Sequence, residues 1–154
     1  MIEGDINKFS LTGKRIFVAG HNGMVGSAIV RSLNKVDCEI LTVSSKELDL
    51  KKSTEVDEWF DEYKPDTVFM AAAKVGGILA NDTYPTDFLL ENLSIQNSVI
   101  TNAFKHKVKK FLFLGSSCIY PRNANQPIKE NALLTGLLEP TNEAYAVAKI
   151  AGIK

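Results

Sequence analysis

Seven residues, Gly20-His21-Asn22-Gly23-Met24-Val25-Gly26, constrain this chain more than any others. They follow an apolar run, Ile16-Phe17-Val18-Ala19, and precede a segment with Val25, Ala28, Ile29 and Leu33 at helical spacing, so a strand turns into a helix there. Gly20 permits the tight turn, Gly23 leaves room for backbone to approach a pyrophosphate, and Gly26 lets the helix lie close to the strand. The N–H groups of the helix's first turn lack intrahelical acceptors and stand at the positive end of its dipole, which suits a phosphate. Glycine-rich turns of this kind also occur for purely structural reasons, and the downstream residues decide between the two.

Those residues repeat the alternation of strand and helix. After a lead-in over residues 1–13, the pattern predicts a strand at Arg15 to Ala19, the helix after the glycine loop, and a second strand at Glu39 to Val43. A helix follows, with Ser53 or Thr54 as its N-cap; it carries Trp59, Phe60 and Tyr63 and ends at Pro65. Thr67 to Ala71 is short and continuously apolar, as a strand covered on both faces requires. A long amphipathic helix runs from Pro85 through Asp87, Phe88, Leu89, Asn92, Ile95, Val99, Ile100 and Phe104 to basic Lys105-His106-Lys107. Asn92 on it either holds a proton relay or faces solvent. Lys110 to Leu114 is the next strand, a polar loop spans Arg122 to Asn142, and a final helix opens at Glu143. The fold class is therefore α/β, a doubly wound parallel sheet, with residues 14–154 as one dinucleotide-binding domain.

Composition narrows the function. At 154 residues, with 18 basic and 18 acidic side chains and no long run of either sign, the chain offers nothing to a polyanion, which argues against nucleic acid. Cys38 and Cys118 show no metal-ligand spacing and are not near His21 or His106, so neither a disulfide framework nor a metal site is expected. The acidic start, Met1-Ile-Glu-Gly-Asp, and the lack of an apolar run near the roughly 20 residues of a membrane helix predict a soluble protein in the cytoplasm.

Candidate site residues sit where strands end. Ser44, Ser45 and Lys46 close the second strand without an acid to hold a ribose 2′-hydroxyl, which favours a 2′-phosphate and hence NADP. Ala71, Ala72 and Ala73, with Lys74-Val75-Gly76-Gly77 after them, leave space for a cofactor at the next strand end. Ser116, Ser117 and Cys118 follow the fourth strand. Tyr145 and Lys149 are spaced to share one helix face, where an ammonium beside a phenol lowers the phenol's pKa and makes it an acid or base nearer neutrality.

Ala19 to Ile29, Ala71 to Ile78, Leu114 to Pro121 and Leu138 to Lys154 together resemble the GDP-L-fucose synthase family of extended short-chain dehydrogenase/reductases. The resemblance runs from about Lys14 to the last residue. It implies a Rossmann-type fold and NADPH-dependent 3,5-epimerisation and 4-reduction of GDP-4-keto-6-deoxy-D-mannose. In that chemistry Tyr145 gives the proton, Ser116 hydrogen-bonds the ketone oxygen, Lys149 tunes Tyr145 and holds the nicotinamide ribose, and Cys118 is an epimerisation acid/base. NADP(H) is assigned to Gly20, Asn22, Gly23, Met24, Val25, Gly26, Ser44, Ser45, Lys46, Asp49, Leu50, Ala71, Ala72, Ala73, Tyr145 and Lys149. Asn22 and Ser44-Ser45-Lys46 stand where the family often has arginines, and neither His21 nor His106 matches the family's second epimerisation base.

The resemblance also implies a homodimer built through the Asp87–Lys105 and Tyr145 helices. The family continues for about as much sequence again, so the sheet is expected to stop before its last strands and the substrate domain, leaving an unpaired edge and an uncovered apolar patch. The alternatives are another nucleotide-sugar epimerase or reductase of the same kind, or a catalytically silent dinucleotide-binding module.

Overall fold

A computed structural model describes residues 9–154; residues 1–8 of the expected lead-in lie outside the described part. Arg15–Ala19 (β1), Glu39–Leu41 (β2), Thr67–Met70 (β3) and Lys110–Phe113 (β4) form a parallel sheet in the spatial order β2-β1-β3-β4. The helices are Met24–Leu33 (α1), Ser53–Tyr63 (α2), Ile78–Thr83 (α3), Pro85–Lys105 (α4) and Glu143–Ile153 (α5). None of them is long and apolar enough to cross a membrane.

The central strands are apolar over Ile16–Ala19 and Val68–Met70 because both faces of the sheet are covered there. Ile16 and Val18 of β1 pack with Leu33, Ile29 and Val30 of α1 on one side. Phe17 and Ala19 face the other side, with Val68 and Met70 of β3, Val56 and Phe60 of α2, and Val99 and Ala103 of α4. An aromatic cluster fills this second layer: Phe17 meets Trp59 at 4.3 Å and Phe60 edge-on at 5.9 Å, and Trp59 stacks on Tyr63 at 4.7 Å. β4 is one edge of the described sheet, and Leu112 on it is 41% exposed.

Several expectations need correction. β2 ends at Leu41, so Thr42 and Val43 belong to the turn that follows. Lys52, not Ser53 or Thr54, holds the N-cap position of α2 and makes no side-chain cap; Ser53 is already helical and receives Asn102 Nδ2 on its carbonyl. The short helix α3 has no counterpart in the expected pattern. Phe104, placed on the apolar stripe of α4, is 86% exposed, and Val25 and Ala28 of α1 also face outward. Within the 122–142 loop lie two 3₁₀ turns, Glu130–Ala132 and Pro140–Asn142, and an ion pair of Arg122 with Glu139 at 3.1 Å.

Asp66 fastens three strands at their amino ends. Its carboxylate accepts from Arg15 N–H at 3.1 Å and Lys109 Nζ at 2.9 Å, while its own N–H donates to Arg15 O and its carbonyl accepts from Lys109 N–H. The Arg15 backbone donor, and then the Lys109 ammonium, hold its carboxyl below the usual value near 3.8. A depressed carboxylate adds stability above its unfolded pKa and loses that contribution as pH falls through the folded one. Asp66→Asn is therefore expected to cost about 1–2 kcal/mol at pH 7, with the deficit shrinking below about pH 4. Urea unfolding of both proteins from pH 7 to 3 checks this; a constant deficit would contradict it.

Candidate active site

The site lies outside the carboxyl ends of β1, β3 and β4, where the chain, having run outward to β2, returns across β1 to build the other side of the sheet. Gly20, at φ +85°, ends β1 against the next strand's continuation: an added Cβ would fall 2.7 Å from Ala72 Cα and N. A Cβ on Gly26 would overlap the Gly20 carbonyl, so helix and turn are in direct contact. Gly23 N–H closes the turn on Gly20 O at 3.0 Å. That leaves the N–H groups of Met24, Val25 and Gly26, the first helical residues of α1, without intrahelical partners beside the bare backbone of Ala71 and Ala72. Asn22, Gly23, Met24 and Val25 are exposed around this cradle, and Ala71 N–H bonds Ala19 O at 2.9 Å beneath it.

At the end of β2, Ser44 is already engaged. Its N–H and hydroxyl donate to Glu47 Oε2 at 3.1 and 2.6 Å, and these bonds hold the Glu47 carboxyl below its ordinary value. Ser45 and Lys46 stay exposed, so they, rather than Ser44, offer free groups there. Local spacing does not announce this carboxylate, because Glu47 lies three residues beyond Ser44 and only the turn folds it back. Asp49 accepts from Lys51 N–H at 3.0 Å, and Leu50 packs on the core beside buried Leu48.

Ser116, Cys118 and Tyr145 line one cleft of about 230 Å³ with Val75, Gly76 and Asn81. Cys118 Sγ donates to Ser116 Oγ at 3.1 Å inside the 3₁₀ turn Ser117–Ile119. Lys149, 4% exposed, donates to Leu114 O at 3.0 Å, and its Nζ sits 4.7 Å from the Phe113 ring centre and 5.8 Å from that of Tyr145. Burial pushes the Tyr145 phenol above its ordinary value, with Cys118 adding to the rise, and pushes Lys149 below its own. This reverses the expected lowering of Tyr145: the ammonium is spent on a carbonyl and an aromatic face, and desolvation dominates. A phenol so held is a weaker acid than a free tyrosine. A larger hollow of about 1040 Å³ lies in the 121–140 loop, bordered by none of these four groups.

Asn92 does not face solvent. It is 3% exposed; its Oδ1 accepts Lys74 N–H at 3.0 Å, and its Nδ2 donates to Lys74 O and Phe88 O at 3.0 and 2.7 Å. It thereby fixes the segment after β3, which Asn81 also ties by donating to Gly76 O and Gly77 O, both at 3.0 Å. Lys74 Nζ meets Glu91 at 2.6 Å.

The glycine turn against a helix amino end, at the switch point of a parallel sheet, is that of a Rossmann-type α/β fold. The chain belongs to the NAD dependent epimerase/dehydratase family, whose sequence profile matches residues 16–154. It is 61% identical over 146 residues to the GDP-L-fucose synthase of Sinorhizobium fredii, which covers 95% of this chain and 46% of that protein. A GDP-D-glycero-L-gluco-heptose synthase from Campylobacter jejuni, solved in the presence of NADPH, superposes with a TM-score of 0.89 at 41% identity, covering 94% of this chain and 42% of the other. A GDP-L-fucose synthetase from Naegleria fowleri bound to NADP gives 0.82 at 28%, covering 94% and 43%. The chain thus spans about half the length of the relatives it matches.

Removing the amide that fixes the Lys74 segment strands a part-buried N–H and carbonyl. Asn92→Ala is expected to cost about 2 kcal/mol and to speed amide exchange at Lys74 more than in the sheet. Equal exchange rates at Lys74 in variant and native protein would count against this role.

Proposed function

We propose that the chain carries the cofactor and proton-transfer half of a GDP-L-fucose synthase-type reductase and epimerase, acting on GDP-4-keto-6-deoxy-D-mannose with NADPH. The observation that carries this reading is the meeting of Ser116, Cys118, Tyr145 and Lys149 at one strand end beside the glycine cradle. The identity to GDP-L-fucose synthases supports the choice of substrate.

The cradle fits a dinucleotide: Gly20 and Gly26 leave no room for side chains, and three helix-end N–H groups face the space where a pyrophosphate carries its charge. Ser45 and Lys46 suit a 2′-phosphate, although the Glu47 carboxylate on Ser44 narrows that preference. When bound, NADPH supplies the hydride for the C4 ketone. Tyr145 Oη, kept protonated by burial, gives the proton that the developing alkoxide needs. Ser116 Oγ donates a hydrogen bond to that oxygen; to do so it need not release the Cys118 thiol, which it holds as an acceptor. The thiol's contact with Ser116 keeps Cys118 Sγ in the cleft, where as a thiol it can give a proton next to the ketone and as a thiolate take one during epimerisation. Lys149 anchors the Tyr145 helix to the residue after β4 through Leu114 O, with its Nζ 5.8 Å from the Tyr145 ring centre.

A homodimer belongs to the same reading. Leu90 and Phe104 on α4 and Val147 on α5 are exposed apolar side chains on the two helices that would meet a second copy.

NADPH titration followed by nicotinamide fluorescence tests the cradle: micromolar binding, tighter than for NADH, is expected. Failure to bind either cofactor would refute it. Where turnover of GDP-4-keto-6-deoxy-D-mannose is measured, Tyr145→Phe is expected to lower kcat by about 10²–10⁴-fold while NADPH affinity changes little. An unchanged kcat would remove Tyr145 from the chemistry.

A further inference from the structure

Asn22 is the one asparagine in the chain that is followed by a glycine. It sits in the turn between β1 and α1, where Gly23 N–H closes on Gly20 O at 3.0 Å, and both Asn22 and Gly23 are exposed. The three glycines of this turn differ in what surrounds them. A Cβ on Gly20 or Gly26 would run into backbone, whereas one on Gly23 would meet only Gly20 O, at 3.4 Å. The packing thus leaves Gly23 open on its outer side, with the exposed Asn22 amide directly before it in the chain.

An asparagine amide before a glycine is open to attack by the next backbone nitrogen, because no side chain on that residue hinders the approach. Gly23 N forms a bond to Asn22 Cγ, the bond from Cγ to Nδ2 breaks, and the amide nitrogen leaves as ammonia with the proton given up by Gly23 N–H. Water then opens the cyclic imide at either carbonyl and leaves aspartate or isoaspartate, with nothing oxidised or reduced. In the fold the turn bond from Gly23 N–H to Gly20 O has to open first. Opening one bond of that kind slows the ring closure by about two- to tenfold and does not prevent it.

We propose that Asn22 is a modification site, and that its deamidation closes the cradle to the dinucleotide. Gly23 is the N-cap of α1, so residue 22 stands immediately outside the helix. An aspartate there lies at the positive end of the helix, where a carboxylate is held favourably, and the fold tolerates it. It answers the helix charge with the protein's own and sets a negative group against the pyrophosphate. Isoaspartate adds a backbone carbon before Gly23 and shifts its N–H off Gly20 O. A dinucleotide held on the Met24 to Gly26 N–H groups would cover the open side of Gly23, so the cofactor-free protein is the form that converts. This rests on the cofactor reading above.

The test holds the purified chain at neutral and at mildly alkaline pH, with and without saturating NADP⁺. Peptide mass spectrometry follows residue 22, and NADPH titration by nicotinamide fluorescence compares fresh with aged protein. Asn22 is expected to convert, faster at the higher pH because the attacking nitrogen must lose its proton, and several-fold more slowly with NADP⁺ bound. Fully converted protein and Asn22→Asp should bind NADPH about tenfold or more weakly than fresh protein, while Asn22→Asp keeps its thermal midpoint. Asn22→Gln, whose longer side chain closes a larger ring more slowly, should show the same affinity before and after ageing. Retention of the Asn22 amide in the aged folded protein, while the urea-unfolded chain converts, would overturn the proposal. Conversion that NADP⁺ does not slow, or that leaves NADPH affinity unchanged, would overturn it equally and leave the cofactor reading standing. If fresh protein binds neither NADPH nor NADH, the cofactor reading itself has failed and the proposal falls with it.

Discussion

The close approach of the β1 turn to the backbone after β3 is what the rest of the molecule depends on. Gly20 touches Ala72 and Gly26 touches Gly20, so three backbones meet with no side chain between them. That contact exists because β1 and β3 are neighbours in register, from Ile16 opposite Thr67 to Ala19 opposite Met70, and because each is buried on both faces. Phe17, Phe60, Val68 and Met70 pack in one core cluster beneath the two strands. A side chain at either glycine would push α1 off the sheet and close the cradle with it. Binding geometry and core packing are in this way one constraint seen from two sides.

Uncharged amides do much of the positioning around it. α4 buries Asn92, Gln96 and Asn102, and each reaches a backbone carbonyl of another segment: Lys74, Ala148 and Ser53. One helix thereby sets the loop after β3, the Tyr145 helix and the start of α2. An amide offers donor and acceptor without the desolvation cost of a charge, which suits a helix that must be polar inside and keep the same bonds across pH. Ionisable groups at the site are treated differently: Lys149 is buried and Tyr145 half-buried, and burial moves both toward their neutral forms.

Much of this was legible in the sequence. Ile16 to Ala19 and Val68 to Met70 are apolar at every position, as strands covered on both faces require, and β1, α1, α4 and α5 lie where the spacing puts them. That Tyr145 and Lys149 share one helix face was also readable from their spacing; their grouping with Ser116 and Cys118 came from the resemblance. Side-chain partners were not. Nothing local says that Asn92 clasps a segment eighteen residues away, that Glu47 folds back on Ser44, or that Lys149 turns to Leu114 and leaves Tyr145 to be governed by desolvation. α3 escaped because six residues hold too little periodicity to announce a helix, and the α2 N-cap because Ser53 is bonded from α4 instead.

The central claim is that the amino end of α1 is built to take a pyrophosphate. Its most direct test is the amide spectrum of ¹⁵N-labelled protein during titration with NADP⁺. The account predicts large shifts at the N–H groups of Met24, Val25 and Gly26, with smaller ones at Ala71 and Ala72 and little change across α2. Saturable binding that leaves the Met24 to Gly26 signals where they were would contradict it.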